Sequence, residues 1–285
     1  MASQRISASV IDAEPDQLPG KLSCSEAYYF VARSCCGVCI GLRSNTPALL
    51  GILARMVPGS RCERPVEVMF SIYESSRQNT ARRYEIAFNA KIAPARFRLV
   101  EALHLLRSYI QESVAILSRN FVLVHAAVVG WKGHAVLLPG ASGSGKSTLT
   151  MALVEQGAAY YSDELAVIDE NGYVHPYLRA PNLRSSLGQE AAKRTTASIV
   201  ASDLCPEPLK IGLVVLSRYS EQANCESRTL LCREIFFGLL ANTLAARSRP
   251  GLSLRVLKEV SLHGRGVQLE RGEARIAANA VLRMM

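Results

Sequence analysis

The run Gly140-Ala141-Ser142-Gly143-Ser144-Gly145-Lys146-Ser147 satisfies the pattern G-x-x-x-x-G-K-[ST] at every fixed position. Ahead of it Ala135 to Leu138 reads as a buried strand, and behind it Ser147 to Val154 reads as a helix ended near Gly157. A strand, a glycine-rich loop and a helix in this order are what the pattern's mechanism requires. Glycines at 140, 143 and 145 allow the backbone to turn its N–H groups toward one point, where the helix N-terminus adds positive potential. An anion is expected there. Lys146 is expected on the outer phosphates and the Ser147 hydroxyl on Mg²⁺, with Gly140 through Thr148 forming the cradle for a nucleoside triphosphate. A glycine-rich turn that matched by chance would lack the flanking strand and helix.

The chain has 285 residues, of which 49% are hydrophobic, enough to bury a core in one large domain or two small ones. Met1 to Pro15 mixes Arg5 with Asp12 and Glu14 and has no apolar run, so it does not read as a secretory signal. No stretch reaches the roughly 18 consecutive apolar residues of a membrane span. The expectation is a soluble, cytoplasmic protein without a membrane segment. Its formal charge of +9 would suit an anionic partner, but the arginines are scattered along the chain. Short clusters such as Arg82-Arg83 and Arg247-Ser-Arg249 read as solvated faces, and no nucleic-acid-binding motif accompanies them. Nucleic acid is not an expected partner.

Cysteine spacing separates structural thiols from a metal site. Cys35, Cys36 and Cys39 cluster, and Cys36-Gly-Val-Cys39 has the C-x-x-C form, whereas Cys24, Cys62, Cys205, Cys225 and Cys232 read as isolated. Zinc would want a second pair at similar spacing. Small thiols buried in strands of a reducing compartment are the favoured reading, with redox or metal chemistry as the alternative.

Two regions are expected. Residues 1–118 read as a small α+β unit, with strands at 28–33, 38–43, 66–73 and 83–89 and a short helix from Pro47 to about Met56. It ends in a long amphipathic helix. Phe97, Val100, Leu103, Leu106, Ile110, Val114 and Leu117 recur at three- and four-residue steps, a stripe expected to pack against the nucleotide domain. Residues 119–285 read as the catalytic domain. Phe121 to Val129 is a strand, Gly130-Trp-Lys-Gly133 a turn, and the next strand enters the phosphate loop. A strand hairpinned to the phosphate-loop strand departs from a doubly wound parallel sheet, so a mixed sheet in an α/β (mixed α+β) fold is expected. Further strands are expected at 159–161, 165–168, 173–175 and 211–217. The C-terminal part reads as helical, over 233 to about 246, 252 to about 260, and 273 to 282.

The reaction class depends on which acids approach the loop. Asp163 and Glu164 lie 16 residues beyond Ser147, after one helix and one short strand, a path that returns them to the phosphate end. Carboxylates there can accept a hydroxyl proton or hold Mg²⁺, so Ser147, Asp163 and Glu164 form the expected metal set and Asp163 the expected base. No Leu-Ser-Gly-Gly-Gln run and no Asn-Lys-x-Asp element is present. His125, on the hairpinned strand 21 residues before Lys146, reads either as a core histidine or as a group that orients Asp163 or carries a proton. Arg179 and Arg184 bracket Ala180-Pro-Asn-Leu183 and are the candidates for contacting phosphate or an acidic peptide. Arg233 and Glu234 open a helix and read as structural.

Together His125-Ala-Ala-Val, the hairpin, Leu138-Pro-Gly-Ala-Ser-Gly-Ser-Gly-Lys-Ser-Thr148, the helix ending Glu155-Gln-Gly157 and Ser162-Asp-Glu-Leu165 resemble the catalytic domain of HPr kinase/phosphorylase and its shorter relatives. The specific resemblance spans about residues 121–180. It implies a phosphoenolpyruvate-carboxykinase-like phosphate-loop fold and an ATP- and Mg²⁺-dependent kinase acting on a serine of a protein or peptide, a ribosomally made peptide included. By the same resemblance Asp163 would take the serine proton, with Lys146 and His125 beside it. A small-molecule kinase of the same fold and a nucleotide-sensing module without turnover are the alternatives. ATP versus GTP and oligomeric state stay open, a homo-oligomer included.

Overall fold

The computed structural model describes residues 28–75, 82–89, 91–140, 144–178 and 207–285. The chain divides into two compact units, Met1–Arg119 and Asn120–Met285. Both are mixed α+β, and each is built on a mixed sheet.

The first unit carries β1 (Tyr29–Cys35), β2 (Val38–Ser44), α1 (Pro47–Met56), β3 (Ser60–Arg61), β4 (Val68–Ser75), β5 (Arg83–Phe88), β6 (Lys91–Ile92) and α2 (Leu99–Leu117). Its strand order is β3-β1-β2-β4-β5-β6. Only β2 and β4 run parallel, and parallel neighbours need a crossover. α1 supplies it, started by Thr46, whose hydroxyl accepts from the Leu49 N–H at 3.3 Å, and by Pro47 in the first turn. α2 buries Ala102, Leu106, Ile110 and Val114 and packs on β4 and β5. The helix expected against the nucleotide domain thus covers its own unit's sheet, and Val100, expected on the stripe, is 79% exposed. Cys62 is not isolated. Its backbone N–H bonds Ala32 O of β1 at 3.0 Å, and its sulfur forms a disulfide with Cys39 of the neighbouring β2. Cys35 and Cys36 remain thiols with their sulfurs 3.8 Å apart.

The second unit carries β7 (Phe121–Trp131), β8 (His134–Pro139), α3 (Lys146–Glu155), β9 (Ala159–Ser162), β10 (Leu165–Asp169), β11 (Tyr173–His175), β12 (Leu209–Tyr219), β13 (Glu226–Thr229), α4 (Cys232–Leu240), α5 (Pro250–His263), β14 (Arg265–Arg271) and α6 (Ala274–Arg283). The strands run β11-β10-β7-β8-β12-β14-β13, with β9 also on β7 and β11 also on β12. β7 and β8 form the expected antiparallel hairpin, closed by Lys132 and Gly133 at φ 48° and 77°, the pair of positive φ values that a two-residue hairpin turn requires. β12 is parallel to both β8 and β14, so these three strands deliver their carboxyl ends to one edge.

β7 is apolar on both faces because both are covered. Val122, Val124, Ala126 and Val128 share a core with Ile235 and Leu239 of α4 and Val256, Leu257 and Val260 of α5. Ala127 and Val129 share the opposite core with Leu149 and Leu153 of α3 and Ala277, Ala278 and Val281 of α6. Two C-terminal expectations need correction. The helix expected to run to about residue 246 ends at Leu240, and β14 forms between two expected helices, in a part read as helical. β14 buries Gly266, Leu269 and Arg271, half-buries Val267 and exposes Arg265, Gln268 and Glu270. Pairing with β12 makes it a strand.

Candidate phosphate site

The chain leaves β8 at Pro139 and enters α3 at Lys146. Ala141, Ser142 and Gly143, three of the expected cradle residues, lie outside the described residues, as do Arg179 and Arg184. The two ends of the loop are tied down. At the entry, the Gly140 N–H donates to the His125 carbonyl at 3.1 Å. At the exit, Gly145 adopts φ 81° and ψ 10°, the left-handed conformation that glycine takes without steric cost, and its carbonyl accepts the first helical bond, from Leu149 N–H at 3.1 Å. Ser147 and Thr148 lie in the first turn of α3, half-buried and exposed respectively.

Lys146 is 8% exposed and donates from Nζ to the Gly140 carbonyl at 2.7 Å, spanning the loop it closes. Burial lowers its pKa, while the charges of Glu164 and then Asp163 raise it. Those two acids occupy the turn between β9 and β10. Ser162 shapes that turn, its hydroxyl accepting from Glu164 N–H at 3.2 Å and Leu165 N–H at 3.0 Å. Leu165 then pairs with His125, which sets the turn beside the phosphate-loop hairpin. Asp163 is 6% exposed, and its Oδ1 accepts from the Tyr160 hydroxyl at 3.0 Å.

His125 is half-buried, and burial lowers its pKa, with the Lys146 charge acting the same way. Glu164 opposes both, through its charge and a backbone hydrogen bond. Glu164 thus bears on His125 electrostatically, alongside the relation to Asp163 that the sequence suggested. The strand edge beyond the hairpin is occupied by the residues after α4: Asn242 O accepts from His125 N–H at 2.7 Å, and Leu244 N–H donates to Leu123 O at 2.8 Å. Nothing in the periodicity around Asn242 announced this role, because backbone atoms perform it. Arg271 was missed too. At the end of β14 it sends Nη2 to the Gly145 carbonyl at 2.9 Å.

The described residues fit an oligophosphate. Ser144 Oγ is buried without a hydrogen-bond partner, and such an atom ordinarily has one. A Cβ on Gly140 would meet Ser144 Oγ at 3.0 Å and Lys146 Cδ at 3.8 Å, filling the cradle. For a metal, the hydroxyl and carboxylates present are hard oxygen donors of the kind Mg²⁺ accepts. Among the described residues no three His, Cys, Asp or Glu side chains group as a metal set. No described helix is long and apolar enough to cross a membrane.

No protein-family model matches the chain, and no curated protein does. Among solved structures, the Hpr(Ser) kinase/phosphatase from Coxiella burnetii aligns with 57% of this chain and 97% of its own, at 15% identity and a TM-score of 0.29. A likeness of that degree assigns neither activity nor substrate.

Proposed function

We propose that the second unit is an ATP- and Mg²⁺-dependent kinase that phosphorylates a hydroxyl, with a serine of a protein or peptide as the acceptor. The observation that carries this reading is the meeting of two acids, Asp163 and Glu164, with the buried Lys146 at the N-terminus of α3. A phosphate loop alone binds nucleotide, and an acid beside its lysine adds the group that phosphoryl transfer needs for the incoming hydroxyl.

In this reading Gly140 to Thr148 hold the phosphate tail, Lys146 Nζ exchanges the Gly140 carbonyl for phosphate oxygen, and Ser144 Oγ gains a partner. Ser147, Asp163 and Glu164 are the residues that would hold Mg²⁺. When bound, ATP supplies the phosphoryl group and Mg²⁺ neutralises charge on it. Asp163 accepts the acceptor hydroxyl's proton at a carboxylate oxygen, while the Tyr160 hydroxyl on Oδ1 fixes the rotamer. Burial favours the neutral form of His125, which in this reading orients the Glu164 backbone through its hydrogen bond. A metabolite hydroxyl would use the same base, and an acceptor screen with peptides against metabolites separates the two.

Asp163→Ala tests the reading. Removing a general base lowers turnover by about 10²–10⁴-fold, whereas nucleotide affinity, measured by calorimetry, is expected to stay within a few-fold of wild type. Undiminished transfer by the variant removes Asp163 from the mechanism. Tight nucleotide binding by the wild type without product from any acceptor favours a nucleotide sensor.

A further inference from the structure

Arg271 ends β14, directly opposite Tyr219 at the end of β12. Only 2% of it is exposed, and it is the largest fully buried side chain among the described residues. Withdrawing a guanidinium from water is unfavourable unless an anion compensates. Arg271 has carbonyls instead. Nη2 donates to Gly145 O at 2.9 Å and Nη1 to Gly272 O at 3.4 Å, its carbon lies 5.6 Å from the Tyr219 ring centroid, and Nε is buried without an acceptor. No carboxylate among the described residues pairs with it. Burial pushes the neighbouring Cys225 thiol up, while the Arg271 charge acts to lower it.

Its location compounds the cost. The N-terminus of a helix already carries partial positive charge, and Lys146 adds another cation in the first turn of the ten-residue α3. Lys146 has Glu164 and Asp163 to answer it. The Arg271 guanidinium also lies where a Cβ of Gly145 would stand, so arginine and glycine are mutually fitted.

We infer that Arg271 is a positioning residue of the phosphate site, clamping the Gly145 carbonyl from behind the loop and carrying a charge that the oligophosphate tail of the ligand neutralises. This rests on the triphosphate reading above and names the ligand's tail, rather than its base or acceptor, as what the arginine answers. A purely structural arginine would be expected to bring an internal carboxylate. Among the described residues none is supplied, and the proposed ligand tail would provide the counter-charge.

The experiment compares wild type, Arg271→Met and Arg271→Lys, titrated by calorimetry with ATP–Mg²⁺ and with inorganic triphosphate at one salt concentration, alongside ligand-free melting. Arg271→Met is expected to melt within about 4 °C of wild type, because a buried unpaired charge is replaced by an apolar chain. It is expected to bind both probes at least about tenfold more weakly, since a nearby cation is lost. Arg271→Lys, which keeps the charge and loses the fork, is expected to lie between, at least about threefold weaker than wild type. Arg271→Met binding as wild type does overturns the inference, as does a fall in melting temperature beyond that range with affinity unchanged. Should the methionine variant not fold, Arg271→Lys decides: affinity equal to wild type overturns the inference and weakened affinity supports it. Wild type binding neither probe overturns the triphosphate reading itself, a result distinct from equal binding by wild type and variant, which removes only Arg271.

Discussion

Gly145→Ala probes the loop at its tightest point, and two structural terms set its cost. Gly145 sits at φ 81°, in the left-handed region where an L side chain costs about 1–2 kcal/mol. The new Cβ would also run into the Arg271 guanidinium. Arg271 must then surrender its 2.9 Å bond to the Gly145 carbonyl, and a hydrogen bond from a charged donor contributes about 1.5–3 kcal/mol. The expected loss is their sum, about 2.5–5 kcal/mol. In an Arg271→Ala background the collision is absent, and the same glycine substitution should cost only about 1–2 kcal/mol. Urea unfolding of wild type, both single variants and the double variant closes the cycle and reads the coupling directly. Equal costs for Gly145→Ala in the two backgrounds would refute the contact. A cost below about 0.5 kcal/mol in the wild-type background would refute the left-handed geometry as well.

Lys146→Ala is expected to weaken nucleotide binding and transfer together, because the same ammonium holds the phosphate in ground state and transition state; calorimetry and a transfer assay check it, and a variant that loses turnover alone contradicts this role. Acid titration tests His125. Burial sets its folded pKa below the ordinary value of about 6.5, so between the two values the unfolded chain binds the extra proton and stability rises with pH. This contribution is intact above about pH 6.5 and is lost as pH falls toward the folded pKa. His125→Gln should therefore flatten the fall in melting temperature between about pH 7 and 5, and an unchanged slope would show that other groups carry it.

Where local pattern and burial agree, the sequence was legible. Helix α1 spans the expected Pro47–Met56 because a proline and a capping threonine mark its start. β7, β8 and β10 fall close to their expected positions because runs of valine, leucine and alanine buried on both faces admit no solvent side. The mixed sheet was legible from one short turn, Lys132-Gly133, too tight for a crossover. That Asp163 and Glu164 follow one helix and one strand beyond the loop was legible from path length alone, while their role belongs to the proposal.

Other features carried no local signature. Cys62 meets Cys39 only because β3 pairs with β1. β14 falls between two expected helices and becomes a strand where β12 supplies its ladder, and Val100 keeps the helical spacing of a core residue while facing water. Asn242 serves the site through its backbone carbonyl, which any residue type would have supplied.

By itself, then, the sequence determined that a strand, a glycine-rich loop and a helix follow one another with a lysine at the helix start and two acids one strand later, because these are short-range properties of spacing, polarity and backbone freedom. Tertiary structure alone decided that the residues after α4 bond the edge of β7 beyond the hairpin, and that an arginine 126 residues after Gly145 bonds its carbonyl. The physical reason is range: turn and helix preferences act within a few residues, whereas the electrostatics of a buried site depend on which distant strands the sheet order makes neighbours.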